Sequence, residues 1–401
     1  MQSLFVATEE DIRQGRTMDV YFQRSLAVLK ALDLEEIRVK AEFSAGSLPS
    51  DWPWAVICGT EEVLRLMEGL PVDIYGVPEG TLWRPRSSRG PRIPFLNIEG
   101  SYCGFGEMET SILGMLCHSS GVATKAARCK LAAEMGHLMA FGNRRMHPAL
   151  APMLDRSAYI GGCDGVASPI GADLIGEEAL GTVPHALILM IGDEVKAYQA
   201  FHDHSHSAVP RIVLVDTYSD ERFGALEACR VIPGLEGIRL DTPGSRRGSF
   251  RELIQEVRWE MDMAGHQDVS IIATGGLDED SIRQLSGAGV DSFGVGTSIS
   301  NAPTVDFSMD LVEKEGEPIS KRGKFSGRKY PFRCPRCLLM DVSLDKDDEI
   351  HCQCGVAMEM IEVRMMENGR RTSSAESAQE IRNRVLRQLR IIHDIDSNHK
   401  I

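Results

Sequence analysis

The chain lacks the features that would send it to a membrane, to nucleic acid or to an oxidising compartment. No apolar run reaches the roughly 20 residues that span a bilayer. The opening "MQSLFVATEED" has no basic segment leading into a long apolar core. Positive charge is in deficit, with 44 Lys+Arg against 58 Asp+Glu and a formal net charge of −14, and such a field repels nucleic acid and anionic lipid. A disulfide framework is missing too. Of the ten cysteines, Cys58, Cys103, Cys117, Cys129, Cys163 and Cys229 are scattered singly through apolar or helical surroundings, as small buried hydrophobes in a reducing compartment are. A cytoplasmic chain without nucleic-acid or membrane partners is expected.

At 401 residues the sequence exceeds one ordinary domain. Residues 1–115 mix a helix ("DVYFQRSLAVLKAL"), a strand ("WAVICG") and a proline-rich loop or hairpin ("PEGTLWRPRSSRGPRIP"), which predicts an α+β domain. Over 116–301 strand and helix alternate about seven times. The strand segments are "HLMAFGNRR", "YIGGCDG", "VPHALILMI", "RIVLVDTYSD", "GIRLDTPGS", "VSIIATGG" and "VDSFGVGTSI". This predicts an α/β barrel of about seven parallel strands, with an open doubly wound sheet as the alternative. After Asn301 the alternation stops, and "KEGEPISKRGKFSGRKYPFRCPRC" reads as a loop returning over the surface. Residues 302–330 are therefore expected to complete the first domain, leaving 331–401 as a small C-terminal one. Its tail sets Ile381, Val385, Leu389 and Ile392 on one helical stripe.

Polar residues in the alternating region concentrate at the C-terminal ends of the predicted strands, where barrel enzymes carry their chemistry. They are Asp216, Arg239 with Asp241, and Gly275 with Gly276, followed one strand later by Gly296 and Thr297. A lone Asp in such a place is often a helix cap, and a lone glycine pair a tight turn. Recurrence on successive strands favours a site. Successive glycines let the backbone approach an anion and aim N–H groups at it, most often at a phosphate. In "FGNRR", Phe141 offers a flat face to a planar ring, and Arg144 and Arg145 offer two guanidinium forks to phosphate or carboxylate. Phosphoribosyl pyrophosphate with an aromatic acid would satisfy all of these groups together.

"CPRC" followed by "CQC" sets Cys334, Cys337, Cys352 and Cys354 as two close pairs, a spacing that closes a tetrahedron of thiolates around Zn²⁺. A redox pair is the alternative, without the βαβ context it usually has. His202, His204 and His206 in "HDHSH" have the look of a metal box, but lie in a polar stretch expected to be an exposed loop.

The motifs "MDVYFQRS", "FGNRR", "YIGGCDGVAS", "GTVPHALI", "LVDTYSD", "GIRLDTPGS", "ATGGLDED", "FGVGTSI" and "KRGKFSGRK" occur in order along nearly the whole chain. In this the sequence resembles the nicotinate phosphoribosyltransferase family, and its short archaeal-type members with a cysteine-rich tail most closely. The resemblance implies transfer of 5-phosphoribosyl from phosphoribosyl pyrophosphate to nicotinate, with Mg²⁺ on the leaving pyrophosphate and ATP as co-substrate. Phe141 matches the family's ring-stacking residue, and Tyr21 a tyrosine that closes the other ring face from a neighbouring subunit, implying at least a homodimer. Arg239 would meet the nicotinate carboxylate, Asp241 the ribose hydroxyls, and Arg144 and Arg145 the pyrophosphate and carboxylate. Gly275, Gly276, Gly296 and Thr297 would hold the 5-phosphate. His185, preceded by the matched Gly181 and Thr182, falls where the family carries a histidine that ATP phosphorylates. Asp164 matches an aspartate that contacts the base in a nicotinamide-using relative. Quinolinate or nicotinamide phosphoribosyltransferase is the nearby alternative. A phosphate-binding barrel isomerase or aldolase is more remote, since it would want a lysine or paired acids at the strand ends.

Overall fold

A computed structural model describes residues 4–241, 244 and 248–398. The chain divides into two compact units, one of Met1–Thr124 with Pro303–Ile401 and one of Lys125–Ala302. The division falls inside the long helix Glu109–Ala132. The segment 331–401, expected as a small C-terminal domain with a docking helix, is grouped with the first unit.

The second unit is built on six parallel strands, His137–Ala140 (β1), Gly165–Val166 (β2), Ile212–Leu214 (β3), Gly237–Leu240 (β4), Ser270–Ala273 (β5) and Ser292–Val295 (β6). Their spatial order is β2-β1-β6-β5-β4-β3. Short apolar runs such as Ile271, Ile272 and Ala273 form these strands because a parallel sheet is covered on both faces. The connecting helices are capped and amphipathic. In Phe250–Met263, Ser249 accepts the N–H of Glu252, while Leu253, Ile254, Val257 and Met261 are buried along one stripe.

A closed barrel of seven strands is not what forms. β2 and β3 are left as the two edges of a half-barrel, and the chain between them runs as helices Pro169–Ile175, His185–Ile191 and Glu194–His204. The expected strand "VPHALILMI" is one of these helices, closed at its end by Gly192 at φ 79°. A continuous apolar run does not distinguish strand from helix, and Ala, Leu and Met are good helix formers. Only Ile188 of the run is fully buried, while Leu189 and Met190 are exposed. The histidine segment is helical as well: His202 and His204 end the helix Glu194–His204, and His206 accepts the N–H of Ala208 just beyond it.

In the first unit a seven-stranded antiparallel sheet sets Arg38–Ala45 between Leu96–Ser101, its central strand, and Phe307–Lys314. The last of these strands ends at Lys314, where the stretch read as a surface loop begins. Alternation along Arg38–Ala45 sends Ala41, Phe43 and Ala45 into an apolar core with Ile74, Ile98 and Phe307. It sends Glu42 and Ser44 to the other face, where both are nonetheless buried. The segment after Ser320 supplies counter-charges to Glu42 and to Glu99, Asp310 and Glu362. Lys329 Nζ lies 2.8 Å from Glu42, Lys324 2.5 Å from Asp310, and Arg328 bridges Glu99 and Glu362. Breaking such a buried pair typically costs about 3–5 kcal/mol, since the abandoned charge has no water to turn to. The C-terminal helix Ala378–Asn398 docks through Ile381, Val385 and Leu389, as its stripe predicted. Its buried Gln388 donates to the carbonyl of Gly80 and accepts from the N–H of Leu82 and from Arg333.

Glu109, first residue of its helix, is pushed up to about 7 by burial, with Asp310 adding repulsion and Lys321 opposing. Between its ordinary value near 4.5 and about 7 the native state holds a proton that the unfolded state has released, so this group's contribution to stability falls as pH rises through that window. Thermal melts of Glu109→Gln are expected to match the parent at the acid end of the window and to exceed it above about pH 7. Identical profiles for the two proteins would contradict this.

Candidate functional site

The C-terminal ends of β1, β3, β4, β5 and β6 bring most of the sequence-predicted residues of the second unit together. Arg239, near the end of β4, spends three of its donors within the site: Nε to Thr274 Oγ1 at 3.0 Å, Nη2 to Asp241 Oδ2 at 2.6 Å, and Nη1 to Thr182 Oγ1. Thr274 in turn donates to Asp241 Oδ1. The backbone N–H of Asp241 goes to Asp216 Oδ2 at 2.7 Å, which joins the ends of β3 and β4. His185 completes the group. Its Nδ1 is 3.1 Å from Thr217 Oγ1, and its Nε2 is 3.9 Å from a carboxylate oxygen of each of Asp216 and Asp241.

Beside this network, Gly275 and Gly276 take φ values of 96° and 71°, which favour glycine, directly after β5. Gly296 and Thr297 follow the adjacent β6. The backbone N–H groups of these four residues have no acceptor among the described residues. A surface pocket opens next to Gly275 and Gly276, bordered also by Ser249, Arg251 and Ser281. Most of the "TPGS" after Asp241 lies outside the described residues.

Phe141 leaves β1 with its N–H on the carbonyl of Val295 at 2.8 Å. A Cβ on Gly294 would come within 2.7 Å of the Phe141 ring and 2.5 Å of Thr274 Cγ2. The ring therefore lies where β6 has no side chain. The next residues turn sharply, and Asn143 donates to both oxygens of the buried Asp155, at 2.9 Å each. Asp155 also accepts from the N–H and hydroxyl of Ser168. Arg144 and Arg145 are carried on this anchored turn, exposed and without a partner among the described residues.

Asp164 is not in this group. It precedes β2, accepts the N–H of Leu138 at the start of β1, and is ion-paired to the buried Lys130 at 2.7 Å, so it sits at the opposite end of the strands. Tyr21 belongs to the first unit, 56% exposed on the helix Val20–Ala31. Sequence reasoning gave no part to Thr274, Thr217, Asn143 or Asp155. Thr274 had a signal, since it immediately follows an apolar strand and precedes the glycine pair.

The four clustered cysteines come together in the first unit, each offering a sulfur within 4.8 Å of the others. Sγ–Sγ separations are 3.5 Å for Cys334–Cys354, 3.4 Å for Cys337–Cys352 and 3.9 Å for Cys337–Cys354. A tetrahedron with arms of about 2.3 Å has edges of about 3.8 Å, so the set fits a metal ion bound by four thiolates. The backbone N–H of Val356 lowers the Cys354 thiol to about 7. Of the remaining cysteines, none of them in a disulfide among the described residues, Cys58, Cys129 and Cys163 are buried and Cys103, Cys117 and Cys229 half-buried. Among the described residues no helix is long and apolar enough to cross a membrane.

Comparison with known proteins shows the family of the chain. Residues 19–120 match the family model "Quinolinate phosphoribosyl transferase, N-terminal domain", and residues 122–310 match the corresponding C-terminal domain. The crystal structure of a nicotinate-nucleotide pyrophosphorylase from Pyrococcus furiosus is 45% identical, with TM-score 0.92 over 98% of this chain and 99% of that one. Human nicotinic acid phosphoribosyltransferase shares the fold at 18% identity, TM-score 0.72 and 93% coverage of each chain. A nicotinate phosphoribosyltransferase of Mycobacterium tuberculosis is 34% identical over 278 residues, 66% of this chain and 59% of that protein. One of Bacillus subtilis is 31% identical over 240 residues, 56% of this chain and 47% of that protein. The chain thus spans well under two thirds of the length of these curated bacterial relatives. By fold and site it is a phosphoribosyltransferase-type α/β protein. It belongs to the quinolinate and nicotinate phosphoribosyltransferase family.

Gly294→Ala would press a methyl group against the Phe141 ring and Thr274. Overpacking of this kind costs about 1–3 kcal/mol. Urea unfolding is expected to show that loss, and a crystal structure of the variant a displaced Phe141 ring. A ring left in place at full stability would contradict the packing described.

Proposed function

We propose that the protein transfers 5-phosphoribosyl from phosphoribosyl pyrophosphate to nicotinate, giving nicotinate mononucleotide and pyrophosphate for NAD biosynthesis. The observation that carries this reading is the pairing, on neighbouring strand ends, of four unengaged backbone N–H groups with the Arg239–Asp241–His185 network. The first suits a terminal phosphate, and the second a carboxylate and a sugar diol. The N–H groups of Gly275, Gly276, Gly296 and Thr297 grip the 5-phosphate, and Asp241 accepts from the ribose hydroxyls. The pyridine stacks on Phe141 with its carboxylate on Arg239, while Arg144 and Arg145 meet the pyrophosphate.

The ring nitrogen has a free lone pair at neutral pH, so the step needs no general base. Catalysis comes from holding the nitrogen in line with C1, and from stabilising charge as C1 becomes oxocarbenium-like. Asp216 and Asp241 form an acidic pair suited to Mg²⁺, which would neutralise charge on the departing pyrophosphate. His185, between those carboxylates, accepts a phosphoryl group from ATP, which couples ATP hydrolysis to synthesis. Tyr21 is supplied by the partner subunit of a homodimer or larger homo-oligomer, and singly scattered cysteines outside disulfides suit a cytoplasmic location. Asp164, held by Lys130, has no part in base recognition. Zn²⁺ on Cys334, Cys337, Cys352 and Cys354 is structural, since four thiolates leave no open position.

Removing a structural ion removes folding free energy. Chelation, or Cys352→Ser, is expected to lower the melting temperature, and added Zn²⁺ to restore the chelated parent alone. An unchanged melt would refute a structural metal.

Incubation with phosphoribosyl pyrophosphate and Mg²⁺, offering nicotinate, nicotinamide or quinolinate with and without ATP, tests the reaction. Mononucleotide is expected from nicotinate, with ATP raising the yield. Product from quinolinate alone would move the chain to the neighbouring activity. Arg239→Ala removes charge-assisted hydrogen bonds worth about 1.5–3 kcal/mol, so the KM for nicotinate is expected to rise roughly tenfold to a hundredfold. Equal increases for both substrates would count against the carboxylate role.

A further inference from the structure

Arg239 is held on more than one side. Its guanidinium carries five N–H donors in a rigid plane. Thr274 and Asp241 take Nε and Nη2, and these two acceptors are themselves hydrogen-bonded, so they act as one unit fixed to the strand ends. The remaining tether is Thr182 Oγ1 on Nη1. Thr182 is half-buried, lies outside the sheet, and stands three residues before His185 on the loop that leads into its helix. Once these three bonds are made, one N–H on each terminal nitrogen remains, and such a pair suits the two oxygens of a carboxylate. A neutral amide presents only one acceptor oxygen and so gains less from the same pair.

We infer that Thr182 is a positioning residue that sets the preference for a pyridine carboxylate over the corresponding amide, by fixing the rotation of Arg239 and tying that arginine to the loop that leads to His185. The inference rests on the proposed transfer to nicotinate. Without the Thr182 hydroxyl, Nη1 loses its anchor while the Asp241 and Thr274 bonds persist. The guanidinium then swings about that remaining edge and meets the ring carboxylate poorly. The contacts to phosphate and ribose do not involve this bond.

Thr182→Val and Thr182→Ser test it against the parent, with KM and kcat measured separately for nicotinate and phosphoribosyl pyrophosphate, and with the ratio of nicotinate to nicotinamide turnover. Loss of the anchor is expected to raise the nicotinate KM of Thr182→Val roughly tenfold. The KM for phosphoribosyl pyrophosphate stays within about twofold, and the nicotinate-to-nicotinamide ratio falls. Thr182→Ser, which keeps the hydroxyl, returns both values towards the parent. A general loss of folding would move both KM values together and show in the melting temperature. Equal shifts, no shift, or a serine variant no better than valine would overturn the role of Thr182 and leave the reaction standing. A parent that makes no mononucleotide from nicotinate would overturn both.

Discussion

One carboxylate ties the candidate site together. Asp241 accepts from Arg239 and Thr274 through its two oxygens, and its own backbone N–H is anchored on Asp216. Three successive strand ends are thereby cross-linked by side chains just where ladder hydrogen bonding stops. The side chains of Arg239 and Asp241 are 17% and 16% exposed, so the pair is shielded without being sealed. That balance matters, because a fully dry ion pair is costly to form and a fully wet one is weak. Here the pair is strong enough to fix a geometry and open enough to meet a ligand.

The rest of the site is arranged around this fixed centre by omission as much as by contact. Gly294 leaves space for the Phe141 ring, and Gly142 lets the turn pass close to Ser300 and the carbonyl of Gly296. Asp155 pulls Asn143 inward, and Arg144 and Arg145 beside it find no partner among the described residues. Small residues and one buried acid thus shape the turn that carries the two arginines.

What the sequence disclosed follows the range of the interactions involved. The strand ends were legible because a charged or glycine residue after a short apolar run is a local pattern, and the cysteine pairs because ligand spacing is local too. The apolar run after Pro184 was not legible, since a strand and a short helix both accept it, and choosing wrongly turned a half-barrel into a closed one. Asp164 shows a related failure. Its motif fixed its neighbours in sequence, but only the register of β1 against β2 decides which end of the sheet it occupies. Thr182 meeting Arg239 across 57 positions, and Phe307–Lys314 meeting Arg38–Ala45, are non-local pairings that leave no periodic trace.

That last pairing sets an order of assembly. The second unit is one continuous stretch and can mature as it leaves the ribosome, whereas the first unit cannot finish its sheet until Phe307–Lys314 has been synthesised. At roughly 5–20 residues per second the wait is on the order of tens of seconds. During that interval the strand Arg38–Ala45 would present its open edge to any nascent neighbour. The polar alternation that later receives Lys329 also gives the waiting strand carboxylate and hydroxyl groups in place of a bare apolar ribbon, which makes the delay safer.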